Sequence, residues 1–171
     1  LFATVGQLDA PRRAFALGSW AAFKRVGGGH TMVMGDLVLL ESEINAVISE
    51  LQKGGVEQSA LHNHLLGASP ATMYLHIYAH GHEVAIASAI RAALAHTATP
   101  MDTASSPSPA LDLDTAAIAR TLGYSGKANG GVYAVTVPRA EKVVHDKHDV
   151  PPTMGIMTAI NFQPTGQGRA A

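Results

Sequence analysis

The sequence predicts an α+β fold with an antiparallel sheet that carries helices on one face. Between residues 30 and 96 the apolar positions change period in the order strand, helix, strand, strand, helix. Turns that contain glycine or proline separate several of these segments. This order is typical of a ferredoxin-like split βαβ arrangement, in which the other sheet face is open for a site or for packing against a second sheet.

Composition excludes several classes of protein. The 171 residues are 47% hydrophobic and 15% charged, which suits one ordinary domain or two small ones with a buried core. Net charge is −1 and the basic residues are scattered, so no nucleic-acid partner is expected. The absence of cysteine excludes disulfides, thiolate nucleophiles and cysteine-ligated zinc. No apolar run reaches the roughly 18 residues that a membrane-spanning helix needs.

The first half of the chain supplies the predicted sheet and helices. Strands are predicted over 17–26 and 30–40, joined by three glycines, and residues 1–16 are predicted to form a loop or an edge strand. A helix is predicted over 43–52, because apolar residues recur at i, i+3, i+4 and i+7 and two glycines follow Lys53. A second helix with a broad apolar face is predicted over 83–96.

The segment between the two helices concentrates the chemistry, since five of the nine histidines lie within it. Two arms, 60–66 and 71–82, flank the turn Gly67-Ala68-Ser69-Pro70 and predict an antiparallel hairpin. Side chains alternate between faces along a strand. His62 and His64 therefore lie on one face of the first arm. Five side chains share a face of the second arm: Tyr74, His76, Tyr78, His80 and His82.

This pattern predicts a metal site. Pairing of His62 with His76 would place His64 opposite Tyr74 and bring three imidazoles within cross-strand or diagonal reach. Neutral imidazoles held by a rigid sheet suit a divalent ion, with zinc as the first candidate and copper, iron or nickel as alternatives. The predicted metal ligands are therefore His62, His64 and His76.

Other side chains are weaker candidates, each with a structural alternative. Asp36 could supply an oxygen ligand or orient an imidazole, or occupy a turn or bulge, and Glu57 is a possible general base. His80 and His82 could form a second site or lie at a frayed surface, while Tyr74 and Tyr78 could face a ligand or simply pack there. Residues 145–149 are predicted to form a polar loop. The remaining histidines are predicted to be solvated: His30, His96, His145 and His148.

The second half of the chain predicts a new unit and a repeat. Residues 97–110 are rich in Pro, Ser, Thr and Ala and are predicted to be a linker between a first copy, 1–96, and the start of a second, 111–171. The second contains a helix over 115–122 and strands over 132–137 and 154–162.

Residues 20–29 align with 159–168 through one phenylalanine and two glycines. The chain is therefore expected to be a segment of a duplicated protein, in which the helix and first strand of the second copy could complete the first copy's sheet. Because it begins at Leu1 without a methionine, either a leader has been removed or, as we expect, this is a segment of a longer polypeptide.

Several motifs together resemble the LppY/LpqO family, a set of exported bacterial proteins built around a duplicated domain of unknown function. The motifs are LGSWAAF (17–23), MGDLVL (34–39), ALHNHLL (60–66), SPATMYLHIYAHG (69–81), NGGVYAVTVPRAE (129–141) and TAINFQPTGQG (158–168). The resemblance implies a periplasmic or extracellular location, and it implies no established activity or substrate. In that family the second copy would continue into a hairpin of its own, which is not in this sequence.

Three functions compete at this point. The first is metal-dependent chemistry, hydrolytic or lyase, in which an open coordination position activates water. The second is a non-catalytic module whose histidine and tyrosine face binds a small molecule or an envelope component. The third is a structural unit whose face contacts the missing copy or a homo-oligomer partner.

Overall fold

The structure is a computed structural model that describes residues 17–100 and 110–171, and these form two units. The first unit comprises 19–100 and 143–155, and the second comprises the other described residues. The predicted division of the chain at a linker therefore differs from the observed one, because 143–155 belongs with the first unit. The predictions for 1–16 and for 101–109 of the linker fall outside the described residues.

Helices and antiparallel strands alternate along the described residues, which confirms the predicted α+β class. The strands are β1 (Trp20–Gly27), β2 (His30–Leu40), β3 (Glu57–His62), β4 (Thr72–Gly81), β5 (Lys127–Asn129), β6 (Val132–Pro138), β7 (Val143–His145), β8 (His148–Val150), β9 (Met157–Phe162), β10 (Pro164–Gly166) and β11 (Arg169–Ala170). The helices are α1 (Ile44–Lys53), α2 (Glu83–Leu94) and α3 (Thr115–Leu122), with short 3₁₀ turns at Glu41–Glu43 and Pro152–Met154.

The four-stranded sheet of the first unit has the order β1-β2-β4-β3, and every neighbouring pair is antiparallel. Because β2 and β3 are both antiparallel to β4, they run parallel to each other with β4 between them. Helix α1 connects them, which gives the split βαβ arrangement that the sequence predicts. Strand β1 fills the outer place beside β2 and precedes it in the chain.

One face of this sheet is covered by α1 and α2. Alternation along β2 and β4 directs Val33, Leu37, Leu75 and Ile77 to that side, and all four are almost completely buried. Gly35 lies on the same side, and a Cβ there would approach the Trp20 carbonyl oxygen to 2.6 Å. The apolar core therefore lies between the sheet and the helices and leaves the histidines for the opposite face.

The segment predicted as a polar loop at 145–149 is instead the turn of the β7–β8 hairpin. His145 pairs with His148, and the two residues between them have positive φ angles, 48° at Asp146 and 66° at Lys147. Both central residues in the left-handed region define the tight turn that matches the twist of two strands. The prediction was wrong because an Asp-Lys turn lacks the glycine that normally identifies such a hairpin.

The second unit has a separate three-stranded sheet with the order β5-β6-β9. Helix α3 starts at Asp114, whose carboxylate accepts from the Ala117 amide at 2.8 Å, and ends at Gly123 with a φ of 74°. Since β6 pairs with β5 and β9, the expectation that 132–137 completes the first sheet is wrong. The predicted strand over 154–162 begins at Met157, after a 3₁₀ turn.

Two hairpins, β1–β2 and β10–β11, share one turn geometry. The φ angles are 97°, 61° and 77° at 27–29 and 90°, 55° and 66° at 166–168. Each hairpin pairs the first turn residue with the residue three positions later and then shifts register by a bulge. This match supports the internal repeat that the sequence predicts over 20–29 and 159–168.

Candidate functional site

The face of the four-stranded sheet opposite the helices carries the histidines. His62, His64 and His76, here called the first histidine cluster, come from β3, from the loop that follows it and from β4. The ring of His62 lies 4.9 Å from that of His64 and 4.9 Å from that of His76, measured between centroids. The Nε2 atoms of His62 and His64 are 3.2 Å apart. The structure therefore brings together all three residues that the sequence predicts as a site.

The predicted register is wrong by two residues. His62 lies opposite Tyr74, and Ala60 lies opposite His76, so His62 reaches His76 along the diagonal. A shift of two residues leaves every side chain on the same face, so alternation along the strands does not reveal it. Strand β3 also contains a bulge between Gln58 and Ala60.

His64 lies beyond the end of β3, where strand pairing no longer fixes its ring. The ring instead stacks on that of Tyr74, with centroids 3.6 Å apart and planes inclined by 11°. Tyr74 is itself only 1% exposed. A buried aromatic ring therefore fixes the third imidazole of the cluster.

Three buried polar atoms at this cluster have no hydrogen-bond partner among the described residues. They are Oδ1 of Asp36, Nδ1 of His62 and the hydroxyl of Tyr74. Asp36 is 9% exposed and lies opposite His76 on β2. Buried polar atoms without partners are rare in folded proteins, and several in one place need an explanation such as a bound ligand, ion or water.

The same environment shifts two pKa values at the cluster. His64 is exposed over much of its surface, but partial burial of its ring and the neighbouring His62 lower the pKa of His64, and Asp36 opposes that shift. Burial raises the pKa of Tyr74, and the charge of Asp36 raises it further. The neighbouring Thr72 lowers the pKa of Tyr74 and so offsets part of this rise. The Tyr74 hydroxyl nevertheless has no hydrogen-bond partner among the described residues. Near neutral pH His64 therefore favours the neutral imidazole, the form that binds metals.

No three histidine, aspartate or glutamate side chains in 17–100 and 110–171 are placed to coordinate one ion as they stand. The pair of ring nitrogens 3.2 Å apart nevertheless matches two ligands of one zinc ion. Bonds of about 2.0–2.1 Å at tetrahedral angles separate two ligand nitrogens by about 3.3 Å. His62 and His64 therefore have the spacing of a ligand pair, and His76 would complete the set by rotation of its ring.

The other candidates lie outside this cluster. Glu57 lies opposite Tyr78, two positions along β4 from His76 and four from the residue that faces His62. His82 is not part of β4: it is the exposed residue that precedes α2. Neither residue contacts the first histidine cluster.

His80 contributes to a different group. Its ring lies 5.0 Å from that of His30 and 5.8 Å from that of His148. These three residues are here called the second histidine cluster. His30 is exposed, as the sequence predicts, whereas His148 is only partly exposed because the β7–β8 hairpin brings it to the sheet.

Tyr78 connects the same hairpin to the sheet. Its hydroxyl donates to Oδ2 of Asp146 at 3.0 Å, and its ring lies 4.6 Å from that of His145. His145 is exposed, as the sequence predicts, and its ring also contacts that of Tyr78. Burial, followed by this hydrogen bond and the charge of Asp146, raises the pKa of Tyr78 to about 12. Valines in β7 and β8 were the sequence signal for this hairpin, and the unusual turn concealed it.

These observations define an α+β protein with two groups of histidines on the open face of one sheet. The model of the family described as Domain of Unknown Function (DUF1259) matches residues 4–96 and 116–171, and the chain belongs to that family. No curated protein and no solved structure matches the chain. Among the described residues, no helix has both the length and the apolar character needed to traverse a bilayer.

Proposed function

We propose that the protein binds a divalent transition-metal ion, with zinc as the first candidate, through His62, His64 and His76. One observation carries this proposal: two ring nitrogens approach to 3.2 Å beside three buried polar atoms that lack hydrogen-bond partners in the described chain. A hydrogen bond between the two rings would explain the short distance alone. It would leave the buried atoms unexplained.

A bound ion with water explains the short distance and two of the three buried atoms. The ion would accept electron pairs from the imidazoles, and its water would donate hydrogen bonds to Asp36 and to the Tyr74 hydroxyl. The Asp36 carboxylate would also offset part of the charge of the ion in a partly buried position. The lowered pKa of His64 supports the proposal, since less proton competition favours ligation.

Three imidazoles would leave a fourth coordination position for water, as in catalytic rather than structural zinc sites. We therefore extend the proposal to hydrolytic or lyase chemistry, in which the ion activates its water. Asp36 is the better placed of the two carboxylate candidates, because it lies opposite His76 while Glu57 lies opposite Tyr78.

The test is a titration of metal-stripped protein with Zn²⁺, followed by calorimetry and metal analysis. A double variant, His62→Ala with His64→Ala, should bind one ion fewer than the unmodified chain. The control is His96→Ala, which removes an exposed histidine beyond the end of α2. Equal stoichiometry and affinity in the double variant and the unmodified chain would overturn the proposal and favour a module that binds a small molecule or an envelope component.

We further propose that, within its family, the chain belongs with the exported LppY/LpqO proteins. Its motifs at 60–66 and 158–168 support this placement. Fractionation of cells that express the natural gene should recover the protein outside the cytoplasm. Recovery in the cytoplasmic fraction alone would contradict it.

A further inference from the structure

The second histidine cluster lies on the same sheet face, around the end of β4 opposite to the first. His30 begins β2, His80 is near the end of β4, and His148 begins β8. The His80 ring therefore lies beside two imidazoles from strands that are far apart in sequence. In the described chain, the His80 ring contacts both of these rings, and no hydrogen bond or ion pair occupies the nitrogens of any of the three. The neighbouring His145 differs, because its Nε2 lies 3.5 Å from Oδ2 of Asp146.

The backbone beneath these rings is held by other contacts. Tyr78 binds Asp146 in the turn of the β7–β8 hairpin, and Lys24 of β1 donates to the backbone carbonyl of Asp149. Gly155, just after this hairpin, lies against the ring of Trp20, with which a Cβ at this position would overlap. The position of His148 is therefore set by the fold and does not depend on its own ring contact.

The separation of the His30 and His80 rings matches that of two ligands of one metal ion, and the His80 and His148 rings are slightly further apart. Two imidazoles bound to one tetrahedral ion through bonds of about 2.0–2.1 Å have centroids roughly 5 Å apart. The observed separations are 5.0 Å for His30 and His80 and 5.8 Å for His80 and His148. His30 and His80 are exposed and His148 is partly so, and the rings of exposed residues reorient within nanoseconds, so the ring planes need not be aligned beforehand.

We propose that the second histidine cluster is a separate site for a divalent transition-metal ion, zinc, copper or nickel, held by His30, His80 and His148. The class of ion follows from the ligands, because imidazole nitrogen suits these metals better than magnesium or calcium. The site is distinct from the first histidine cluster, and an ion in it would join the β7–β8 hairpin to the sheet.

This arrangement predicts two effects of the same ion. Binding only to the folded chain would raise thermal stability. Because His148 is on the hairpin, while His30 and His80 are on the sheet, the ion would also slow local opening of 143–150. The second effect is specific to this cluster, since the first one has no ligand in that segment.

The experiment compares full-length variants in the absence and presence of Zn²⁺. The unmodified chain should bind two ions, His148→Ala one, and the double variant His62→Ala with His64→Ala one. Zn²⁺ should slow amide hydrogen exchange in 143–150 at least several-fold in the unmodified chain and in the double variant, and should leave it unchanged in His148→Ala. The control His96→Ala should behave as the unmodified chain, and circular dichroism verifies the fold of each variant.

The outcomes separate this proposal from the previous one. Two bound ions in His148→Ala, with Zn²⁺ still slowing hydrogen exchange in 143–150 as in the unmodified chain, would overturn the second site. If that variant failed to fold, His80→Ala would replace it, with the same expected loss of one ion. A single bound ion that is lost with His148→Ala and retained in the double variant would support this site and overturn the first.

Discussion

The two histidine clusters share a sheet face and differ in what surrounds them. The first contains buried groups, with Asp36 and Tyr74 below its rings and three polar atoms without hydrogen-bond partners in the described chain. The second consists of exposed or partly exposed rings, two on the sheet and one on the β7–β8 hairpin. The low-dielectric environment of the first cluster would change the affinity and charge interactions of an ion there. An ion in the second cluster would act mainly as a cross-link between the sheet and the β7–β8 hairpin.

The largest expected effect is a loss of stability when the apolar core beneath the sheet is altered, because this sheet carries both clusters. Leu75 is fully buried on the helix side of β4, between the positions of Tyr74 and His76. Leu75→Ala should lower the free energy of unfolding by about 2–5 kcal/mol. Because its side chain points away from both clusters, the zinc stoichiometry of the folded fraction should not change.

Urea denaturation measures this effect, with Leu66→Ala as the control. Leu66 is 88% exposed, and its truncation should change stability by less than about 0.5 kcal/mol. Equal stabilities of the two variants would contradict the assignment of the core to the helix side of the sheet.

The next prediction separates the clusters electrostatically. Asp36→Asn keeps the shape of the side chain and removes its charge, so zinc affinity at the first cluster should fall about 10–100-fold. Affinity at the second cluster should remain as it was, which makes that cluster an internal control in the same calorimetric titration. Equal losses at both clusters would indicate a general effect on the sheet.

A smaller effect is expected from the contact that holds the hairpin. Tyr78→Phe removes the hydrogen bond to Asp146 and should lower stability by about 1 kcal/mol, the usual net value for such a bond. Zinc affinity should fall several-fold at the second cluster alone, because His148 becomes less well positioned. The measurement is zinc calorimetry combined with hydrogen exchange of 143–150, and weakened binding at the first cluster would contradict it.

The smallest expected effect is a titration shift. In metal-free protein, partial burial and His62 lower the pKa of His64 below its ordinary value of 6.5. A lowered histidine pKa means that its contribution to stability is fully present above 6.5 and decreases as pH falls through the interval down to the folded-state value.

Nuclear magnetic resonance of the imidazole Cε1 protons measures this titration. The His62→Ala variant should move the pKa of His64 upward, since one cause of the shift is removed. A midpoint for His64 at or above 6.5 in the unmodified chain would contradict the described environment of the first cluster.

The sequence by itself determined the class of fold, the order of elements between 30 and 96, and the three residues of the first cluster. These follow from local rules: alternation assigns His62 and His76 to one sheet face, and helical spacing identifies α1 and α2. Sequence reasoning also recognised the shared turn at 27–29 and 166–168, because glycine is favoured where φ is positive.

Only the tertiary structure decided the register and the second cluster. His62 lies opposite Tyr74 and not opposite His76, a difference of two residues that leaves every side chain on the same face, so alternation cannot reveal it. His148 reaches His80 only because a hairpin 68 residues further along the chain is held there by Tyr78 and Asp146. Such contacts depend on how separate segments pack, and a local pattern of residues carries no information about which distant segment will cover a face.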